Sequence, residues 1–314
     1  MSLAAIDALV ARFAPLAPES TAEARREQAA EVYWQLHCRL PADPLERERA
    51  APRGDPREFL LRLAQADRGT GSWQAGWTVH AVRDDGGIVA ESRGVRLWLG
   101  RGEYRTERDL LVPGAPVLAR VPREHRVLAP GFYMATGDAI DRGDAPTARL
   151  YWTISATGVF ALLERVTSTL NRARLPFRFK VPIDPRDYGR ADAAVLYLPR
   201  EHWTEAVPLL GAITASVRPH LGAETSLIAR RLEAGVAVAE DPGDGSSFGQ
   251  HRAQLLVAAN SAPGASGLRT PDARARAIRI QLRAAGYDPL RLHLNPGTHE
   301  DFAWEAPTES AATA

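Results

Sequence analysis

The sequence predicts an α+β protein: a mixed or antiparallel sheet flanked by helices in the C-terminal part, preceded by a helical region with a small β component. Three observations predict it. Apolar residues recur at helical spacing through the first 66 residues. Strand-like runs begin near Trp77. From about residue 126 such runs are broken by amphipathic helices, the pattern of helices packed on an antiparallel or mixed sheet.

Residues 3–14 place Leu3, Ile6, Leu9, Val10 and Phe13 on one helical face. A second helix is expected from Thr21 to about Arg39. A third is expected from Pro56 to Ala66, with Phe59, Leu60, Leu63 and Ala64 inward. A glycine-rich break at Gly69–Gly76 follows, then strands at Trp77–Val82, Ile88–Ala90 and Val95–Leu99. Residues 100–125 are charged, carry Pro113, Pro116 and Pro122, and read as loop. Phe132–Ala135 reads as a strand and Gly137–Pro146 as an Asp/Gly-rich turn. In the strand Arg149–Ser155, Leu150, Trp152 and Ile154 form the apolar face; Arg149, Tyr151, Thr153 and Ser155 form the other. A helix over Gly158–Ala173 uses Val159, Leu162, Leu163, Val166 and Leu170. The strand Phe177–Val181 turns Phe177, Phe179 and Val181 one way, Arg178 and Lys180 the other. Ala193–Leu198 and Val236–Ala239 read as strands. Trp203–Leu221 (with Pro208 near its start), Phe248–Ala259 and Asp272–Ala285 read as helices. The expected organisation is an N-terminal region at 1–125, a main domain at 126–304 and a disordered polar tail at 305–314.

A net charge of +1, with 25% charged and 45% hydrophobic residues, gives no ground for broad nucleic-acid or membrane binding. No apolar stretch reaches the roughly 18–20 residues that cross a bilayer, and no secretory signal pattern opens the chain. The single cysteine, Cys38, excludes an intrachain disulfide and suits a cytoplasmic protein. It lies in the apolar run Val32-Tyr-Trp-Gln-Leu-His-Cys38, where helix packing accounts for it. The histidines lack metal-ligand spacing and the glycines form no phosphate loop or dinucleotide fingerprint. Neither a metal nor an organic cofactor is expected.

Of the 39 Lys and Arg residues, one is lysine, Lys180. Arginine meets nearly every need for positive charge here, and a guanidinium does not deprotonate in proteins. An amine can, so a lone lysine among arginines is a candidate for base or Schiff-base chemistry; chance survival of one codon is the alternative. If the strands at 149–155 and 177–181 share a sheet face, Arg149, Tyr151, Arg178 and Lys180 meet in one cleft. Arg190, Arg230, His251 and Arg252 follow downstream. Guanidinium forks match phosphate oxygens, and cations favour the neutral form of a neighbouring amine. Such an amine can take a proton from carbon while arginines hold phosphate as the leaving group. The bland alternatives are solvated strand charges at Arg149 and Arg178, a strand aromatic at Tyr151 and a structural histidine at His251.

The segments Arg149-Leu-Tyr-Trp-Thr-Ile-Ser155, Thr169-Leu-Asn171, Pro176-Phe-Arg-Phe-Lys-Val181 and Tyr188-Gly-Arg-Ala-Asp192-Ala-Ala-Val-Leu-Tyr197 together resemble the HopA effector-like family. So do Gly235-Val-Ala-Val-Ala-Glu-Asp-Pro242 and Ser247-Phe-Gly-Gln-His-Arg252. The resemblance spans about 130–260. Members occur as type III effectors and in gene clusters for ribosomally made, modified peptides, including class V lanthipeptides and thioamitides. There the resemblance implies half of a dehydratase. A kinase resembling aminoglycoside phosphotransferases phosphorylates Ser or Thr of a precursor peptide, leader and core. Its partner eliminates phosphate to leave dehydroalanine or dehydrobutyrine. Distant similarity to phosphothreonine lyases implies Lys180 as the base and Arg149, Arg178, Arg190, Arg230 and Arg252 as phosphate ligands, with Asp192 orienting Arg190 or capping a turn. The acid position of those lyases, a histidine, is occupied by Tyr151. His251 is the competing acid, and a phosphate held by arginines can also leave unaided.

Four readings are open at this point. The chain is a lyase on a precursor peptide with a kinase partner, an effector lyase on host phosphoproteins, a non-catalytic peptide- or kinase-binding subunit, or a Schiff-base enzyme. The last does not use the arginine cluster. The Arg-rich composition suggests a GC-rich genome and favours the first.

Overall fold

A computed structural model describes residues 2–17, 19–41, 43, 54–92, 94–106, 111–125, 129–140, 145–299 and 302–304. Among them are eight α-helices and two antiparallel sheets, so the α+β expectation holds. The 305–314 tail lies outside the described residues, as do parts of the 100–125 and 137–146 segments.

Three helices open the chain: α1 (Ser2–Arg12), α2 (Ala22–Val32) and α3 (Pro56–Ala66). Their starts follow from capping chemistry. Thr21 accepts from the Ala24 amide, and Asp55 accepts from the Arg57 amide with Pro56 in the first turn. The second expected helix, to Arg39, changes character halfway. Tyr33–Cys38 is a π-helical turn ended by Arg39 in the left-handed region (φ 62°). Within this turn Leu36, His37 and Cys38 are all buried.

A five-stranded sheet follows, in the order β3-β2-β1-β5-β4. Its strands are β1 (Ser72–Val82), β2 (Ile88–Ser92), β3 (Val95–Leu99), β4 (Tyr104–Arg105) and β5 (Pro116–Val121). Two sequence expectations are corrected here. The 69–76 segment is not simply a break: β1 starts at Ser72 and carries Gly76 (φ +84°) inside a bulge between Gln74 and Trp77. Residues 100–125 are not all loop: Val117, Ala119 and Val121 of β5 alternate into the small core with Trp77, Val79, Ile88, Ala90 and Leu99. The prolines hid this strand, since Pro116 stands at its first residue, where no ladder donor is needed.

The second sheet has seven strands in the order β11-β12-β8-β10-β9-β7-β6. They are β6 (Glu124–His125), β7 (Phe132–Thr136), β8 (Thr147–Trp152), β9 (Arg178–Pro182), β10 (Ala194–Pro199), β11 (Arg230–Glu233) and β12 (Val236–Glu240). The helices between and after them are α4 (Val159–Arg172), α5 (Trp203–Val217), α6 (Phe248–Ser261), α7 (Pro263–Ser266) and α8 (Pro271–Ala284). One sheet face buries Leu150, Trp152, Phe179, Val181, Leu196 and Val238 against α4, α5 and α3. The other buries Tyr151, Val195 and Ala237 against a layer built from α1, α2, α6 and α8. Helices from both ends of the chain form that second layer. It stops short of one end of the sheet, and the site lies there.

Candidate active site

Antiparallel pairing aligns same-face residues of neighbouring strands in two rows. One row runs Ala237, Tyr151, Val195, Lys180, Met134, His125 across β12, β8, β10, β9, β7 and β6. The next runs Ala239, Arg149, Tyr197, Arg178, Thr136. Helices cover the Tyr151 and Val195 part of the first row. Beyond the alanines of β12, which also lie under the helices, the remainder floors a cavity of about 920 Å³. Arg149, Arg178, Lys180, Tyr197, Met134, Thr136 and His125 line it from the sheet; Asp241, Ser246, Ser247, Asn295 and Thr298 are among those lining it from the rim.

Of the residues picked out in the sequence, Lys180, Arg149 and Arg178 thus meet in one cavity. Strand alternation brings Arg178 and Lys180 to one face, and β10 separates them from Arg149. All three cations surround the Tyr197 ring: the Arg149 and Arg178 guanidinium carbons lie 5.1 and 5.3 Å from its centroid, and the Lys180 amine 6.0 Å. The amine also stands 4.4 Å from the centroid of Phe132. No carboxylate among the described residues pairs with it. Arg149 is buried and held by Asp241, at 2.7 Å from Nε and 2.6 Å from Nη2, while Nη2 also donates to the Ser246 carbonyl.

The other named residues do not line this cavity. Tyr151 shares the Lys180 row but is 2% exposed, covered by His37 and Phe248 with ring centroids 5.4 and 6.2 Å away. Its hydroxyl has no hydrogen-bond partner among the described residues, and burial, only partly offset by Arg149, pushes the phenol above its ordinary pKa. That corrects its expected place as proton donor in the cleft. His251 stands on the first turn of α6, where its Nδ1 lies 2.8 Å from Arg252 Nη1. Burial, then the Arg252 charge, lowers its pKa, so the ring is a neutral acceptor for Arg252.

Three arginines expected at phosphate serve the fold instead. Arg190 forms a bidentate pair with Asp192 (2.5 and 2.8 Å) and reaches the Tyr33 hydroxyl (2.6 Å) and Cys38 Sγ (3.3 Å). Asp192 therefore orients Arg190, and Cys38 is tied into the same buried group. Burial would raise the Asp192 carboxyl; Arg190 and then His37 outweigh it and hold it below the usual range. Arg252, fully buried, donates to the carbonyls of Leu292 and Leu294 and to Asn295 Oδ1. Arg230 donates to the Phe302 carbonyl. An arginine-poor chain would have made the distinction easier: with arginine doing structural and functional work alike, sequence spacing alone did not separate them.

Tyr197 and His125 line the cavity without having been singled out. Tyr197 sat in a recognised strand whose place between β8 and β9 was not legible. His125 fell in a segment read as loop. Burial, partly offset by Glu124, lowers the pKa of His125. Among the described residues no cluster suited to a metal ion occurs, and no helix is long and apolar enough to cross a membrane.

Two solved structures share the fold. The effector protein from Pseudomonas syringae pv. tomato strain DC3000 matches at 18% identity and a TM-score of 0.54, over 93% of this chain and 95% of that one. The effector protein from Pseudomonas syringae pv. syringae strain 61 matches at 18% and 0.52, over 93% and 96%. At such identity the likeness is one of fold. No curated protein matches the chain. The model of the HopA1 effector protein family matches residues 124–294, more than half the chain and the whole seven-stranded sheet, so this chain belongs to the HopA1 effector protein family.

Proposed function

We propose that this chain is a phosphoserine/phosphothreonine lyase acting on a precursor peptide that a separate kinase has phosphorylated. The observation that carries the reading is the lone lysine on the floor of a cavity beside two guanidiniums. A phosphate dianion over Arg149 and Arg178 places the α-carbon of its residue toward Lys180, the next same-face position along β9. Acting as base, the amine takes the α-proton; the Cα–H pair becomes the Cα=Cβ bond, and the Cβ–O bond breaks toward phosphate. The guanidiniums hold the charge that develops on the leaving group. The work is done by fixed charges on rigid strands, and no cofactor enters the reading. The cavity is roomy enough for a phosphorylated side chain with flanking backbone, which suits a peptide more than a free amino acid. The family's occurrence beside kinases in peptide-modifying gene clusters supports the choice of substrate.

The test is incubation of the purified chain with synthetic phosphoserine and phosphothreonine peptides, without ATP or kinase, read by mass. Loss of one phosphoric acid, abolished by Lys180→Arg, is the expected result. Full activity of Lys180→Ala would remove the base assignment. No loss even with kinase and precursor peptide present would leave a non-catalytic binding subunit. Equal turnover of unrelated phosphoprotein segments would favour an effector acting on host proteins.

A further inference from the structure

We infer that Tyr197 is the proton donor to the departing phosphate, a role that rests on the lyase reading above. Its place in the sheet carries the argument. Tyr197 pairs directly with Arg149 on one side and Arg178 on the other, so a phosphate bridging the two guanidiniums lies over its ring. Lys180 is one register row away on β9. Tyr197 is partly buried, its ring packed against the helical layer on one side and lining the cavity on the other, and its hydroxyl makes no hydrogen bond among the described residues. A tyrosine kept only for packing or for ordering the fold is ordinarily buried or has its hydroxyl tied; Tyr133, whose hydroxyl donates to Asp67 at 2.9 Å, and Tyr188, bonded to the Pro182 carbonyl at 2.8 Å, are such cases in this chain.

The competing donors are worse placed. Tyr151 lies beneath the helical layer and His251 outside the cavity. His125 does line the cavity, but Met134 separates its strand from that of Lys180, two strand spacings or roughly 10 Å from the amine's strand. That is farther still from the guanidiniums of Arg149.

In the step so assigned, the Tyr197 proton passes to the bridging oxygen as the Cβ–O bond breaks. Hydrogen phosphate leaves, and the phenolate left behind faces two guanidiniums and the ammonium that Lys180 has become. Return of the proton from that ammonium to the phenolate restores both groups, directly or through one water. No net proton, electron or co-reactant is consumed.

Tyr197→Phe is the decisive variant, because it keeps the ring on which the three cations rest and removes only the hydroxyl. Two quantities are read for wild type and variant: elimination rate by mass, and the Kd for a peptide carrying the phosphonate analogue in which CH2 replaces the bridging oxygen. The expected result is a loss of about 10²-fold or more in kcat and a Kd within about threefold of wild type. A variant that eliminates phosphate within about threefold of an active wild type would overturn the assignment and leave the lyase reading intact. Wild type inactive even with kinase and precursor peptide would overturn both. A Kd that rises in step with the loss of rate would make Tyr197 a binding group and not a donor.

Discussion

Asp241 grips Arg149 through both Nε and Nη2, so the one guanidinium buried in the cavity floor is aimed by a carboxylate on its rim. The pair has a consequence for binding. Asp241→Ala leaves a largely buried cation without its counter-charge, which costs about 3–5 kcal/mol of stability. Arg149 also loses its aim, so affinity for the phosphonate peptide should fall at least about tenfold. Urea unfolding and peptide titration read the two effects separately.

Arg178 and Arg252 should behave oppositely. Arg252→Ala orphans two buried carbonyls and the Asn295 side chain, for a loss of about 3–5 kcal/mol, with peptide affinity per folded molecule unchanged. Arg178→Ala should spare the melting temperature by comparison and weaken phosphonate-peptide binding by about 10- to 100-fold. Thermal melts beside binding isotherms decide between the roles.

At Gly249 two effects compete. Alanine there would gain roughly 1 kcal/mol of helix propensity. Its methyl would stand 2.2 Å from Cδ2 of His37 and under 3 Å from two further ring atoms. That ring is buried and packed against Tyr151 and Phe248, so it has nowhere to turn. Overpacking of about 1–3 kcal/mol should win. Gly249→Ala is therefore expected to unfold at lower urea than wild type.

His37 makes stability depend on pH. Burial, only partly offset by Asp192 and reinforced by Arg190, Arg149 and Lys180, lowers its pKa to about 4. The folded state then binds the proton later than the unfolded chain as pH falls. Its contribution is fully present above about pH 6.5 and is lost on descent toward pH 4, at up to about 1.4 kcal/mol per pH unit. Wild-type urea midpoints measured between pH 7 and 4 should fall accordingly. His37→Gln should flatten the curve in that window.

Much of the fold was legible because apolar periodicity reports which side of an element is buried. Leu150, Trp152, Phe179 and Val181 were assigned to the core from alternation alone, and they lie in it. Alternation says nothing about what covers the opposite face. Arg149 and Tyr151 were therefore read as equivalent cleft residues, whereas a helical layer closes over Tyr151 and stops before Arg149. That edge is set by contacts between residues some 200 positions apart, such as His37 with Phe248 and the Leu36 carbonyl with the Leu227 amide. Arg190 and Arg252 misled for a related reason: a buried guanidinium satisfying backbone carbonyls has the same sequence signature as one awaiting phosphate.

The two-ended helical layer also bears on how this protein can be dissected. Residues 5–36 contribute Ile6, Leu9, Val32 and Leu36 to the cover over Tyr151, Val195 and Phe248, and the Tyr33 hydroxyl is bonded to Arg190. The stretch that carries the family's signature thus buries one face of its sheet only together with residues that precede it. Excised at residue 124, it would present an open apolar flank on the very sheet that holds Lys180, and self-association would mask any assay of its chemistry.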